Sequence, residues 1–264
     1  MTAMVQRTRG VLEVVYEVPF SDDGWVVVDG LTMPETAEHR EATKLLEDVF
    51  ATWIAATQRD AKVYGNLALR WVEARPQIGS DPDVMLVEPA PPKGIRSLRT
   101  WVPGHAAPRV VVEFVSLDTA STDYLDKPAR YTAAGARELW VFDPQKLGPR
   151  AAVGPCVLQV FRRIREGRLR QVYRGDGPAF SRELGAWLVV TEGGAALRIA
   201  NDRDGRDLWP TREEVALRKG AEAAAEAERA TAEAAAERGR REALEARLAA
   251  AEEALRAVGA SVPR

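Results

Sequence analysis

A chain of 264 residues, 46% of them apolar, can bury one large or two small cores and still carry an extension. Its 37 basic against 39 acidic residues exclude a generally basic nucleic-acid coat, and one cysteine with two histidines excludes a disulfide framework or a Cys/His zinc centre within the chain. No run approaches the ~18 apolar residues of a membrane span, and MTAMVQRTRG lacks the apolar core of a signal peptide, so a cytoplasmic protein without membrane attachment is expected.

Residues 11–18 (VLEVVYEV) read as a strand, followed by turn signals in SDDGW and VDGL. Thr32-Met-Pro-Glu35 has the form of a capping box, and Leu45, Leu46, Val49, Phe50, Trp53 and Ile54 give a helical stripe, so a helix is expected over about 35–57. Short β-like runs follow at 61–65, 67–73 and 83–87, then a Pro/Gly-rich loop at 89–108 and the apolar run Arg109–Ser116. A helix is expected over 122–134, closed by Gly135; Pro128 suits a first turn and argues for a later start. ELWVF (138–142) reads as a buried strand.

From about 150 to 210 the chain turns β-rich, with a hairpin of VLQVFRR and RLRQVYR and short strands at 186–191 and 196–200. Thr211–Glu214 fits a second capping box, and the Ala/Glu/Arg-rich stretch 211–257 reads as one helix of roughly 70 Å. Leu244, Leu248, Ala251, Leu255 and Val258 alternate at steps of four and three, the seam of a coiled coil, while the middle offers only alanine. A solvated single helix is the alternative. The expected organisation is an α/β or α+β domain over 1–210, with a mixed central sheet flanked by helices, and a helical tail over 211–264.

Three polar residues stand out. Glu113 lies inside Val110-Val-Val-Glu-Phe-Val115, where an unpaired carboxylate costs several kcal/mol, so it needs a cation, a metal or a proton. A strand end open to solvent or a structural ion pair is the plainer reading. Asp83 opens the apolar run Val84–Val87; alone it is ordinary turn chemistry after Pro82, but together the two acids suit Mg²⁺. Lys127, one of six lysines beside 31 arginines, follows the Glu113 strand and could fold back over it, or lie solvated on a helix surface. His39 shares a helix face with Ala42, Leu46, Val49 and Trp53 and should point inward, as a core histidine or a catalytic one. His105 reads as a loop residue, Cys156 as buried and inert, and the seven tryptophans as core.

The ordered set Asp81-Pro-Asp-Val84, Val112-Glu-Phe-Val-Ser116 and Asp123-x-x-x-Lys127-Pro-x-x-Tyr131-x-x-x-Gly135-x-x-Glu138-Leu-Trp-Val-Phe-Asp-Pro144 resembles the Uma2 family of proposed restriction endonucleases, within the PD-(D/E)XK nuclease-like superfamily. The resemblance runs over about residues 20–210 and includes Leu197-Arg, Asn201, Gly205, Leu208, Thr211 and Glu213. It implies a nuclease-like mixed central sheet with Asp83 and Glu113 as the metal-binding acids. The superfamily lysine would stand two residues after the glutamate, where this chain has Val115, so Lys127 is its implied replacement. Val115 could still offer its main-chain carbonyl to the metal. His39 matches a histidine on the family's first helix, and Tyr131 and Glu138 match supporting positions.

Two departures bear on access to the site: Ser116-Leu-Asp-Thr119 replaces the usual Ser-Pro-Ser-Thr, and the loop at 93–108 is longer than usual. The resemblance implies hydrolysis of DNA phosphodiesters with Mg²⁺, or Mn²⁺ as the alternative ion. Arg96, Arg99, Arg162, Arg163, Arg165, Arg168 and Arg170 are the candidate DNA contacts, and the C-terminal helix is the candidate homodimer contact. The competing expectation is a catalytically inactive nuclease-fold binding or assembly module that oligomerises through that helix.

Overall fold

The computed structural model describes residues 3–8, 11–16, 36–149 and 154–259, with side chains over 36–149 and 154–257. The SDDGW and VDGL turns, the Thr32–Glu35 motif and Trp25 lie outside the described residues. The chain divides into two units, Met1–Arg212 and Glu213–Arg264.

In the first unit, β1 (Ala3–Thr8) and β2 (Val11–Tyr16) pair antiparallel. A six-stranded sheet follows the order β11-β10-β9-β8-β6-β3, built from β3 (Lys62–Gly65), β6 (Val84–Val87), β8 (Val110–Phe114), β9 (Glu138–Phe142), β10 (Leu158–Arg163) and β11 (Leu169–Gly175). All its pairs are antiparallel except β8–β9, whose parallel geometry requires a crossover. That crossover is α2 (Ala120–Leu125) and α3 (Lys127–Ala134). On the other face lies α1 (Ala37–Thr57). Two small sheets complete the unit: β5 (Gly79–Ser80) with β4 (Leu69–Arg70) and β7 (Leu98–Arg99), and β12 (Ala179–Ser181) with β13 (Ala186–Thr191) and β14 (Ala196–Ala200). This is the mixed α/β class expected from the sequence.

Strand alternation sorts the central residues into two cores. Val84, Leu86, Val110, Val112 and Phe114 pack with Leu46, Val49, Phe50 and Trp53 of α1. Met85, Val87, Val111, Val115, Leu139 and Val141 pack instead with Ala120, Tyr131 and Ala134 of the crossover. A sheet covered on both sides explains why Val110–Phe114 is buried throughout, and Glu113 falls by parity on the crossover side with Val111 and Val115.

The expected single helix over 122–134 is two helices that meet at Asp126, with Pro128 in the first turn of the second. Gly135 closes α3 in the left-handed region at φ 86°, as its sequence position suggested. The run 67–73 yields only the two-residue β4. Trp53, Trp140 and Trp209 are buried, and Trp53 stacks on Trp209 at 5.2 Å; Trp71 is half-buried against the crossover-side core, and Trp101 and Trp187 are half-buried outside both cores, so the core expectation fails for those two.

Thr36 caps α1, its hydroxyl accepting the His39 backbone N–H at 3.2 Å. Thr36→Ala should cost about 1 kcal/mol, read by urea unfolding. The second unit is the single helix α4 (Arg212–Gly259) of 48 residues, solvent-exposed along nearly its whole length. Among the described residues no helix is long and apolar enough to cross a membrane.

Candidate active site

The β6–β8 register pairs Val84 with Val112 and Met85 with Val111, so one step further along the ladder Asp83 stands opposite Glu113. Asp83 immediately precedes β6, after the excursion through β4 and β5, and its carbonyl accepts the Asn66 N–H just beyond β3 at 3.3 Å. One of its carboxylate oxygens accepts the Phe114 backbone N–H at 2.6 Å. The other lies 3.1 Å from His39 Nε2, whose ring meets the Phe114 ring edge-on at 5.8 Å. His39 therefore points inward as its periodicity required, but toward a carboxylate at the sheet end, with a side chain still 15% exposed.

Glu113 is 1% exposed. Lys127 Nζ donates to its Oε2 at 2.6 Å, and the Tyr131 hydroxyl donates to its Oε1. Ser80 Oγ lies 3.0 Å from the same hydroxyl. The small sheet containing β5 thus braces the phenol from behind.

Asp123 completes the group. It is 1% exposed, lies 3.0 Å from Lys127 Nζ, and accepts the Thr119 hydroxyl at 2.5 Å; Ser116 Oγ and Thr119 Oγ1 are 2.9 Å apart. Sequence reasoning passed over Asp123 as a site residue. Its signal was the four-residue step to Lys127, the spacing at which helical ion pairs form.

Three carboxyl groups, those of Asp83, Glu113 and Asp123, thus act on Lys127. Burial pushes the Glu113 carboxyl up to about 8; Lys127 pulls against it, while Asp83 and Asp123 add to the rise. Burial also raises Asp123, against the pull of Lys127 and Thr119. For Lys127 burial favours loss of the proton, but Glu113, Asp123 and Asp83 outweigh it and hold the ammonium above the usual lysine range. Burial and Glu113 raise the Tyr131 phenol well above its ordinary value, so it stays a proton donor.

The donor chemistry fits a hard divalent cation: oxygen ligands only, and a surplus of carboxyl groups over ammonium in a buried site. Among the described residues no group of three or more His, Cys, Asp or Glu is arranged to hold a metal ion. An ion would therefore rest on Asp83, Glu113 and non-side-chain oxygens. Val115 follows directly on β8, anchored by its N–H to the Phe142 carbonyl at 2.8 Å, with its buried side chain in the crossover-side core that Glu113 also faces.

Other candidate residues serve the framework. Glu138 is fully buried and accepts from Trp140 Nε1 at 3.2 Å, Arg162 Nε at 3.1 Å, Ser181 Oγ at 2.6 Å and the Arg182 N–H at 2.8 Å, which ties the extension to the sheet. Arg163 bonds the Ala136, Thr132 and Gly167 carbonyls. Both arginines are thus engaged internally. They also stand at the wrong end: one row across the sheet runs Val110–Glu138–Arg162–Arg170, whereas the acids lie where Phe114, Phe142, Leu158 and Gly175 end their strands. Arg165 and Arg168, in the turn beyond Arg163, share that remote end. Arg99 is differently placed, in the small sheet whose Ser80 reaches Tyr131.

Cys156 is buried, as expected, its thiol 3.6 Å from the Leu158 carbonyl. His105 Nδ1 accepts the Arg99 N–H at 3.0 Å and so pins the long loop.

Among solved structures, one from Anabaena variabilis described as "a putative nuclease belonging to DUF820" is similar at 15% identity and a TM-score of 0.38, covering 62% of this chain and 85% of that one. None of the curated proteins compared with the chain matches it. The sequence model of a family described as "Uma2: Putative restriction endonuclease" matches residues 16–185. That stretch is more than half of the chain and contains His39, Asp83, Glu113, Val115, Asp123, Lys127 and Tyr131; the chain belongs to the Uma2 family.

Proposed function

We propose that this chain is a metal-dependent endodeoxyribonuclease that hydrolyses DNA phosphodiester bonds at the cluster around Glu113. The observation that carries the reading is a cluster of three carboxyls: Asp83 and Glu113 opposite one another at the ends of neighbouring strands, and Asp123 from α2, with Glu113 and Asp123 buried against Lys127. Ionising all three would leave carboxylate charge in excess of the single ammonium, which is costly in so enclosed a site unless a cation completes it. The family's description as a restriction endonuclease supports the same substrate class.

Asp83, Glu113 and the Val115 carbonyl would hold Mg²⁺, with Mn²⁺ as the alternative. A cation bound there supplies Lewis acidity toward the scissile phosphate and lowers the pKa of the attacking water. Lys127 orients that water and offsets charge developing on the phosphoryl oxygens, which a compact ammonium does well. Asp123 fixes Lys127, and Tyr131 fixes Glu113, so neither side chain has to reorganise during reaction. His39 and the Phe114 N–H aim the Asp83 carboxylate. Arg96 and Arg99 on the long loop are the cations best placed to meet the DNA backbone, whereas Arg165, Arg168 and Arg170 lie at the remote end.

Calorimetric titration of Mg²⁺ and Mn²⁺ into the wild type and Asp83→Asn tests the site. Binding to the wild type that is lost in the variant is the expected result, followed by nicking or cutting of plasmid DNA by the wild type alone. A wild type that binds neither ion, with or without DNA present, sinks the proposal. Replacing Arg165, Arg168 and Arg170 together by alanine should leave cleavage within a few-fold of wild type in the same plasmid assay.

A further inference from the structure

We propose that α4 is the dimer interface of the protein: a parallel, in-register two-stranded coiled coil with a second copy of this chain, running from Ala216 to Val258. The inference stands apart from the nuclease reading, since the interface holds whether or not the site cuts DNA.

The leucine seam is only the end of a longer register. Counting back from Leu255, Ala251, Leu248 and Leu244 at alternating steps of four and three, the same inward positions fall on Arg241, Glu237, Ala234, Ala230, Ala227, Ala223, Gly220 and Ala216. Apart from one charged pair, every inward position is apolar or glycine over six heptads, which a solvated single helix has no reason to maintain. Leu244, Leu248 and Leu255 are 67%, 62% and 72% exposed, a large apolar stripe to leave in water.

The flanking charges say what covers it. In a parallel in-register pair, each residue just before an a position faces, on the other helix, the residue five further along. Here Glu233 faces Arg238, Arg240 faces Glu245, and Arg247 faces Glu252. All three pairs are of opposite sign, each occurs twice by symmetry, and none of the flanking contacts is repulsive. A second copy of the same helix is therefore the complementary partner. Glu237 and Arg241 are the exception: in register each faces its own copy, a like-charge cost in stability that pairing across the two successive layers, Glu237 with Arg241 of the second copy, offsets.

Sedimentation of the full chain at micromolar concentration tests the interface. A dimer is expected, with Leu248→Asp/Leu255→Asp monomeric while the far-UV helix signal of the first unit persists. Arg240→Glu/Arg247→Glu and Glu245→Arg/Glu252→Arg should each be monomeric alone and dimeric when mixed, because only the mixture restores opposite charges. Leu244→Cys should cross-link to itself on oxidation, with the wild type, whose Cys156 is buried, as the uncrosslinked control. A monomeric wild type, or a dimer that survives both aspartates, overturns the proposal. Cross-linking only between Leu244→Cys and Ala234→Cys chains would overturn the parallel arrangement in favour of an antiparallel one.

Discussion

Lys127→Ala should lower DNA cleavage by about 10²–10³-fold while leaving Mg²⁺ affinity unchanged or slightly raised. The asymmetry follows from where the ammonium sits. Lys127 Nζ lies 2.6 Å from Glu113 and 3.0 Å from Asp123, so it neutralises ligands and their neighbours but is not itself an oxygen donor. Removing it takes away the group that orients water and offsets phosphoryl charge, yet makes the remaining carboxylates more attractive to a cation. The same change should destabilise the ion-free protein by about 3–5 kcal/mol, because two buried carboxyls lose their partner, and added Mg²⁺ should recover part of that loss. Cleavage assays on supercoiled plasmid, calorimetry and thermal melting separate the three effects. Equal losses of cleavage and ion affinity would assign Lys127 to ion binding and remove it from the chemistry. Lys127→Arg tests the fit: a planar guanidinium keeps the charge but cannot present it from one point between Glu113 and Asp123, so cleavage should stay well below wild type.

Glu113 was legible in the sequence because it breaks a pattern, and Asp83, ordinary turn chemistry by itself, stood out only beside it. A carboxylate inside Val110–Phe114 has no cheap place to go, and the structure gives it Lys127 and Tyr131. Long periodic elements were equally plain: α1, β8, β9 and the β10–β11 hairpin all fall within a few residues of where their patterns put them. Two-residue strands such as β5 and β7 were not, since alternation needs four or more residues to show. Yet β5 carries Ser80, which braces Tyr131, so part of the site was hidden with them. For His39 the helical spacing set an inward direction and left a core or a catalytic role open, because periodicity reports which way a side chain points and not what it meets there. Asp123 was hidden in a helix start, where acids are common. For the hairpin arginines composition locates charge, but only the register, Val110–Glu138–Arg162–Arg170, tells that it lies at the sheet end away from Asp83 and Glu113.

The raised carboxyl of Glu113 makes ion binding strongly dependent on pH. With the group held neutral up to about 8, a cation that binds the carboxylate must displace a proton at any lower pH. Apparent Mg²⁺ affinity should therefore rise about tenfold per pH unit from pH 6 to 8, about 2.7 kcal/mol in all, and then level off. Calorimetry in buffers of different ionisation enthalpy should show close to one proton released per ion at pH 6 and few above pH 8. Stability of the ion-free protein moves the other way. A carboxyl whose pKa is higher folded than unfolded favours the folded state while protonated, and that contribution is lost as pH rises through the folded value. The melting temperature without divalent ions should thus fall between pH 5 and 8, and Mg²⁺ should flatten the fall. Glu113→Gln keeps the shape of the side chain and cannot titrate, so it should abolish ion binding with its pH slope and remove most of the stability slope, the raised Asp123 supplying the rest. A wild-type affinity that stays flat from pH 6 to 8 would mean that the ion does not use Glu113, and the ligand set would then have to be built from Asp83 without it.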